Sequence, residues 1–180
     1  MVRVTLRRAA AVAACAALLG VAACASPSRP EFMALPATAG LTAAPGDVGY
    51  RSVTTVNVSG GTETNPLWTA QVSNEDFKAA LESSLTAAGY TGTDGRPLVV
   101  TANLVDLKQP LAGLDLSVTS QVRYTVTRDG QIIFDDTVAA TGVATMGQAF
   151  AAVERLRLAN EKSIQENIKE FLKRFRANAR

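Results

Sequence analysis

The chain has 180 residues, of which 47% are hydrophobic and 19% charged, and this is the composition of one globular domain of ordinary size. Histidine is absent, which excludes the Ser-His-Asp triad, the Cys-His pair and histidine-ligated metal sites. Both cysteines lie within the first 24 residues, so the remainder has no disulfide framework and no thiol nucleophile. We therefore expect no catalytic residues, no metal and no cofactor, and a protein that is not an enzyme.

The first residues have the pattern of a signal peptide. Residues 1–8 carry three arginines and no acid, and an apolar run follows over residues 9–19. A run of this length is too short to span a bilayer, which requires ~20 apolar residues. Removal of the three arginines leaves 15 basic against 16 acidic residues, a net charge of −1. The mature chain then has no basic field, and no nucleic-acid partner is expected.

The apolar run leads into residues 21–24, Val-Ala-Ala-Cys, which resemble the lipobox of bacterial lipoproteins. The resemblance implies a signal peptide over residues 1–23 and a lipid anchor, of the palmitate-bearing kind, on the sulfur of Cys24. In Gram-negative lipoproteins an aspartate after this cysteine tends to retain the protein in the inner membrane. Ala25 stands there instead, which implies the outer membrane, with the domain facing the periplasm. An ordinary signal sequence that ends near a cysteine is the alternative.

Residues 24–47 are rich in Ala, Pro, Ser, Thr and Gly, a composition that predicts a flexible tether. A flexible chain of about 20 residues has a root-mean-square reach of roughly 25 Å. Phe32, Met33 and Leu35 form an apolar island within it, which either stays loosely packed or docks on the domain or on a partner. The folded domain is predicted over residues 48–180.

The first half of the domain has the pattern of a strand, a helix and a second strand. Residues 53–59 are β-branched and partly alternating, which predicts the first strand. Ser73 with Asp76 three positions later predicts a helix N-terminus, and Gly89 predicts the end of that helix. Residues 98–106 predict the second strand.

Strand-helix-strand units cross over with a right hand, which makes the two strands parallel. The loops that follow them, residues 60–68 and 108–113, are then expected at the same end of the sheet. A binding site for a partner is the functional hypothesis for these two loops. The residues expected to line it are Asn65, Trp68, Lys108 and Gln109. For Trp68 the alternative is a lid over the core.

A long hairpin is predicted by strict alternation over residues 114–126, followed by a fourth strand over residues 131–144. We expect a three-residue loop, a type I turn with a glycine bulge, at residues 128–130. That loop pairs Val126 with Ile132 and so keeps apolar residues on one face of the sheet.

A final helix is predicted over residues 148–175, where seven apolar residues share one stripe of about 100° that begins at Phe150. The other members of the stripe are Val153, Ile164, Ile168, Phe171, Leu172 and Phe175. Arg157 and Glu161 fall in the same stripe, where a core is expected. A continuous helix is favoured because neither Pro nor Gly interrupts it. Arg157 is then a structural anchor, satisfied by Glu161 and by backbone carbonyls or an acid on a facing strand. A break near Asn160 that turns the pair to solvent is the alternative.

The order β-α-β-β-β-α predicts a single α+β domain with a four-stranded, mainly antiparallel sheet and two helices on one face. With the lipobox and the low-complexity stretch, this pattern resembles the small periplasmic lipoproteins of Gram-negative bacteria that include the YajG-like proteins. The resemblance implies a membrane-anchored envelope lipoprotein, a non-enzymatic module that binds or scaffolds an envelope protein or polymer.

Two alternative functions stay open: an auxiliary lipoprotein of an envelope transport system, and an envelope hydrolase or acyltransferase. Asp135 and Asp136 are adjacent acids within a predicted strand. Neighbouring strand residues point to opposite faces, so we expect that the two cannot act on one substrate atom.

Overall fold

Four strands form one mixed sheet in the computed structural model, which describes residues 25–37, 40–66 and 69–178. The strands are β1 (Val53–Ser59), β2 (Leu98–Lys108), β3 (Leu116–Arg128) and β4 (Gln131–Ala144). They lie across the sheet in chain order, with β1 parallel to β2 and the other neighbours antiparallel. The predicted α+β class and the parallel first pair are therefore confirmed.

The described helices are α1 (Pro30–Met33), α2 (Asn74–Ala87) and α3 (Ala152–Asn178). The two long helices, α2 and α3, bury their apolar sides against the same face of the sheet in one core. The α2 helix starts as predicted, because the Oγ of Ser73 accepts a hydrogen bond of 3.0 Å from the backbone N–H of Asp76. Gly89, at φ +75°, follows its C-cap.

The hairpin of β3 and β4 keeps the predicted apolar face but closes differently. Its turn has two residues, Asp129 and Gly130, with φ of +50° and +78°, the left-handed pair of a type I′ turn. A β-bulge in β4 then shifts the register, so that Val126 lies opposite Phe134 and the expected partner Ile132 is exposed. The predicted three-residue loop is wrong. The turn has two residues, and the bulge in β4 is what returns the apolar side chains of that strand to the core face.

The α3 helix is continuous from Ala152 to Asn178, as favoured, but it starts later than predicted. Phe150 lies in the preceding loop and is exposed, so its placement in the apolar stripe is wrong. The guanidinium of Arg155 binds the carbonyl oxygens of Ala149 and Phe150, at 2.9 and 2.6 Å. These two carbonyls are therefore satisfied by a side chain outside the helical ladder.

The stretch predicted as a tether packs on the domain over residues 25–37. The α1 helix touches both α2 and α3, which have few contacts with each other, and the side chain of Met33 has no exposed surface. The backbone N–H of Ala25 donates to the carbonyl of Pro66 at 2.8 Å. The packed domain thus includes residues on the N-terminal side of the predicted boundary at residue 48. The tether was predicted from composition, which reflects the many small and polar residues of this stretch. Composition does not show that a few of its side chains, such as Met33, are buried.

Candidate functional site

The loops after β1 and β2, residues 60–73 and 109–115, meet at one end of the sheet, which we call the loop end. Gln109 joins them. Its Nε2 donates to the carbonyl of Ala70 at 2.9 Å, and its Oε1 accepts from the hydroxyl of Thr69 at 3.1 Å. The order of the first two strands thus brings the two loops together as expected.

The side chain of Gln109 is also held by α3. Its Nε2 donates to the Oδ1 of Asn160 at 3.0 Å, and the Nδ2 of Asn160 donates to the carbonyl of Ala70 at 3.0 Å. Asn160 is fully buried. Sequence reasoning considered Asn160 only as a possible break in the helix. In the structure the side chain of Asn160 connects α3 to the two loops. The side-chain amide of Gln109 is therefore hydrogen-bonded within the domain.

The remaining residues of the predicted binding site have different surroundings. Asn65 and Lys108 are exposed, and Asn65 forms a bridge with Thr69 at the tip of its loop. Trp68 and Cys24 lie outside the described residues. Partner binding at Asn65, Trp68, Lys108 and Gln109 stays a prediction.

Polar side chains of α3 hold the N-terminal segment, which we define as residues 25–37. The backbone N–H of Arg29 donates to the Oε1 of Glu161 at 2.9 Å, and the Nε of Arg29 lies 3.6 Å from the same oxygen. Further along the helix, the Nε2 of Gln165 donates to the carbonyl of Ala34 at 2.8 Å. The segment therefore covers a polar stripe of α3 and satisfies part of it.

On α2 the same segment finds a second attachment. The backbone N–H of Leu35 donates to the Oγ of Ser84 at 2.9 Å, and that hydroxyl donates to the carbonyl of Ala80 at 2.6 Å. All three residues are buried. The N-terminal segment is thus bonded to both long helices, and Met33 is buried where it lies against them.

Arg157 and Glu161 form a buried ion pair, with 2.5 Å between Nη1 and Oε1. Arg157 binds a second acid, Glu154, through Nη2 and through Nε, the latter at 3.0 Å. The expected pairing with Glu161 is present, but the second partner is an acid on the same helix, where backbone carbonyls or an acid on a facing strand were expected.

The three charges are in different electrostatic environments. Burial raises the pKa of the Glu161 carboxyl above its ordinary value, and its Oε2 is buried with no hydrogen-bond partner. The hydrogen bond from Arg157 lowers the pKa of the less buried Glu154, and the same bond raises the pKa of Arg157. Apart from the Oε2 of Glu161, the charged atoms of the cluster are engaged by contacts within the domain, and we read the cluster as a structural feature that fixes the N-terminal segment.

Asp135 and Asp136 are separated by the sheet, as their adjacency predicts. The Oδ2 of Asp135 pairs with the Nη2 of Arg123 at 2.7 Å on the solvent face. The Oδ2 of Asp136 pairs with the Nη1 of Arg174 on α3 at 3.0 Å. Each carboxylate is therefore engaged with its own arginine, and the two do not form an acid–base pair.

Two shallow cavities lie at the end of the sheet opposite the loop end. One of about 160 Å³ is lined by Tyr90, Phe175 and Arg176, and one of about 450 Å³ lies beside Arg96 and Arg128. Within the part of the chain that the structure describes, no group of three or more His, Cys, Asp or Glu side chains could hold a metal ion. In the same part, no helix is long and apolar enough to cross a bilayer.

Several solved structures have a similar fold. Protein XCC0632 from Xanthomonas campestris, of the family DUF330, shares 8% identity with a TM-score of 0.52, over 78% of this chain and 93% of its own. A minor lipoprotein from Acinetobacter baumannii shares 14% identity (TM-score 0.45, 72% and 92% of the two chains). PelC from Paraburkholderia phytofirmans, a dodecamer, shares 15% (TM-score 0.48, 77% and 96%). By sequence, no family model and no curated protein matches the chain. At 8% identity, the similarity to XCC0632 supports the fold alone.

Proposed function

We propose that the chain is an envelope lipoprotein, held by a lipid on Cys24, which binds or scaffolds an envelope protein or polymer and catalyses no reaction. One observation supports the proposal most directly. The residue that follows the lipobox cysteine, Ala25, is buried and hydrogen-bonded to Pro66 of the loop end. Cleavage before Cys24 would leave the burial and the hydrogen bond of Ala25 intact.

Processing at a later site would be costly. Cleavage beyond residue 33 would remove the fully buried side chain of Met33, and the loss of such a side chain typically costs about 2–5 kcal/mol. It would also remove the N–H of Arg29 from Glu161. These contacts support processing upstream of Arg29, and the lipobox lies upstream of it.

A binding or scaffolding role is supported because the buried and adjacent charged groups are already engaged in contacts within the domain. The buried Arg157 and Glu161 hold the N-terminal segment, and the adjacent Asp135 and Asp136 are each paired with an arginine on opposite faces. Exposed Asn65 and Lys108 at the loop end are the side chains that we assign to partner contact. Ala25 in place of aspartate supports an outer-membrane address.

Metabolic labelling with palmitate, followed by mass spectrometry of the N-terminal peptide, tests the anchor. Wild type should carry lipid on a mature N-terminus at Cys24, and Cys24→Ser should be unlabelled. Cys15→Ser is the matched control, because Cys15 lies within the apolar run of the signal and its replacement should leave labelling intact. An unmodified wild-type protein that starts at Ala25 or later would overturn the proposal.

Photo-crosslinking in cells tests the binding role. A crosslinking residue at Asn65 or Lys108 should give one discrete adduct with an envelope component. The same residue at Ile132, exposed near the β3–β4 turn, should not give that adduct. Identical patterns from all three positions would contradict a partner surface at the loop end.

A further inference from the structure

Large apolar side chains are exposed on two adjoining loops at the loop end. Leu111, Leu114 and Phe150 are 106, 74 and 88% exposed, and Met146 is 40% exposed. We call these four residues the apolar tips. A single exposed apolar side chain is ordinary in a soluble protein, but a group of them on neighbouring loops marks an interaction surface.

One buried arginine holds both loops in place. Arg155 donates through Nη1 to the carbonyl of Phe150 at 2.6 Å and through Nη2 to the carbonyl of Gly113 at 3.5 Å. A second link runs from the backbone N–H of Met146 to the Oδ1 of Asp115 at 3.2 Å. The apolar tips are therefore presented by a cross-linked frame and cannot fold back onto the core without breaking these bonds.

The N-terminal segment starts at this same end. Ala25 donates to the carbonyl of Pro66 in the loop after β1, and that loop is bonded through Ala70 to Gln109 in the loop that carries Leu111. Cys24 precedes Ala25 by one peptide unit, about 3.8 Å between Cα atoms. A lipid on Cys24 would thus leave the domain at the loop end, with no spacer between them.

The opposite end of the sheet has a different character. Near the β3–β4 turn, Arg96 pairs with Asp129, and Arg51 pairs with Asp94 at 2.5 Å. These side chains are about half or more exposed. The four apolar tips thus lie at one end of the strands, and the exposed ion pairs lie at the other, where Ile132 is a single exposed apolar side chain.

We propose that the apolar tips insert into the interfacial layer of the bilayer that holds the lipid of Cys24, so that the sheet stands end-on to the membrane. The proposal rests on the proposed lipid anchor and specifies how the domain is oriented by it. Each Leu or Phe side chain that becomes buried would tighten membrane binding by roughly tenfold to a hundredfold.

The mature chain suits site-directed labelling, since its one cysteine, Cys24, would be a thioether in the lipoprotein. We would introduce a single cysteine as Leu111→Cys or Phe150→Cys, with Ile132→Cys as the matched control. Ile132 is 62% exposed and lies by the β3–β4 turn, away from the loop end. Each protein, labelled with an environment-sensitive fluorophore, is reconstituted in vesicles of phosphatidylethanolamine and phosphatidylglycerol.

Quenchers then locate each label. A spin label on the lipid acyl chains should quench the fluorophore at positions 111 and 150 and leave position 132 unaffected, and a water-soluble quencher should show the reverse. Equal access of the water-soluble quencher to all three positions would overturn the proposal. So would shielding at 111 and 150 without lipid contact, which would indicate a second copy or a protein partner.

Two further measurements separate this inference from the anchor itself. Mass spectrometry of the same sample reports the lipid on Cys24, so a lipidated protein with water-exposed tips overturns the docking alone. In the lipid-free variant Cys24→Ser, Leu111→Ala and Phe150→Ala should each weaken vesicle binding by roughly tenfold, and Ile132→Ala should not change it. Equal binding by all three variants would contradict insertion of the tips even if the protein carries no lipid.

Discussion

The backbone N–H of Arg29 donates to the Oε1 of Glu161 at 2.9 Å, across 132 positions of the chain. This bond joins the residue before α1 to the middle of α3. It accounts for the buried acid on a helix face where apolar residues are expected. Together with the other bonds of the N-terminal segment, it packs on the domain a stretch whose composition predicts a flexible tether. The proposed anchor and the domain are then directly connected.

Arg157→Ala should destabilise the domain by about 3–5 kcal/mol, because the buried carboxylate of Glu161 loses the closer of its two cationic partners and keeps only Arg29 at 3.6 Å. Arg123→Ala is the matched control, since Arg123 pairs with Asp135 at the surface, where solvent screens the two charges and the loss should be much smaller. Urea unfolding of both variants measures the difference. Equally small losses of unfolding free energy in both variants would mean that the Arg157–Glu161 pair is solvated and does not fix the N-terminal segment.

The pH dependence of stability should report Glu161. Burial raises its pKa above 4.5 in the folded protein, so the native state keeps the proton to a higher pH than the unfolded chain. The stability that this group contributes is present below about pH 4.5 and is lost as the pH rises through the raised pKa.

Glu161→Gln removes that titration. The free energy of unfolding of the variant, relative to wild type, should therefore increase with rising pH and then level off. Denaturant melts from about pH 4 to 8 measure the difference. A relative stability that is constant, or that falls with pH, would show that Arg157 and Arg29 outweigh the effect of burial.

Met33→Ala should cost about 2–5 kcal/mol, because it leaves a cavity where α1 lies against α2 and α3. Phe32→Ala is the neighbouring control. The ring of Phe32 is about half exposed and packs against the guanidinium of Arg29 at 3.9 Å, a contact that contributes about 0.5–1 kcal/mol at exposed sites. If thermal melts showed that neither change matters, the N-terminal segment would behave as the tether that its composition predicts.

Much of the fold could be predicted because its signals are local. The cap of Ser73, the stop at Gly89 and the alternation in β3 and β4 each depend on residues within one element. The order of these elements and the right-handed crossover then determined the parallel pair and the shared end of the loops.

The features that sequence reasoning missed depend on contacts between distant segments. Nothing in the sequence around Arg29 indicates that Glu161 accepts its backbone N–H. In the same way, the polar side chains of Gln109 and Asn160 do not reveal from the sequence that they bind each other. The bulge opposite Val126 was missed for a related reason, since turn and bulge can each restore the same apolar face.

The turn of the hairpin can be tested at Gly130. Its φ is +78°, and a Cβ there would meet no atom within 4 Å, so Gly130→Ala should cost about 1–2 kcal/mol from the left-handed backbone alone. Gly147→Ala is the control, because Gly147 lacks a left-handed φ and its Cβ would come no closer than 3.7 Å to a neighbour. A neutral Gly130→Ala in urea unfolding would contradict the type I′ turn.

Hydrogen exchange of the lipidated protein in vesicles most directly tests whether the anchor is joined to the domain without a spacer. The backbone N–H groups of Arg29 and Leu35 are bonded to Glu161 and Ser84, and so should exchange as slowly as other amides of the folded domain. A flexible tether requires the opposite. Exchange of both amides at the rate of an unstructured chain, with β2 protected, would contradict the account.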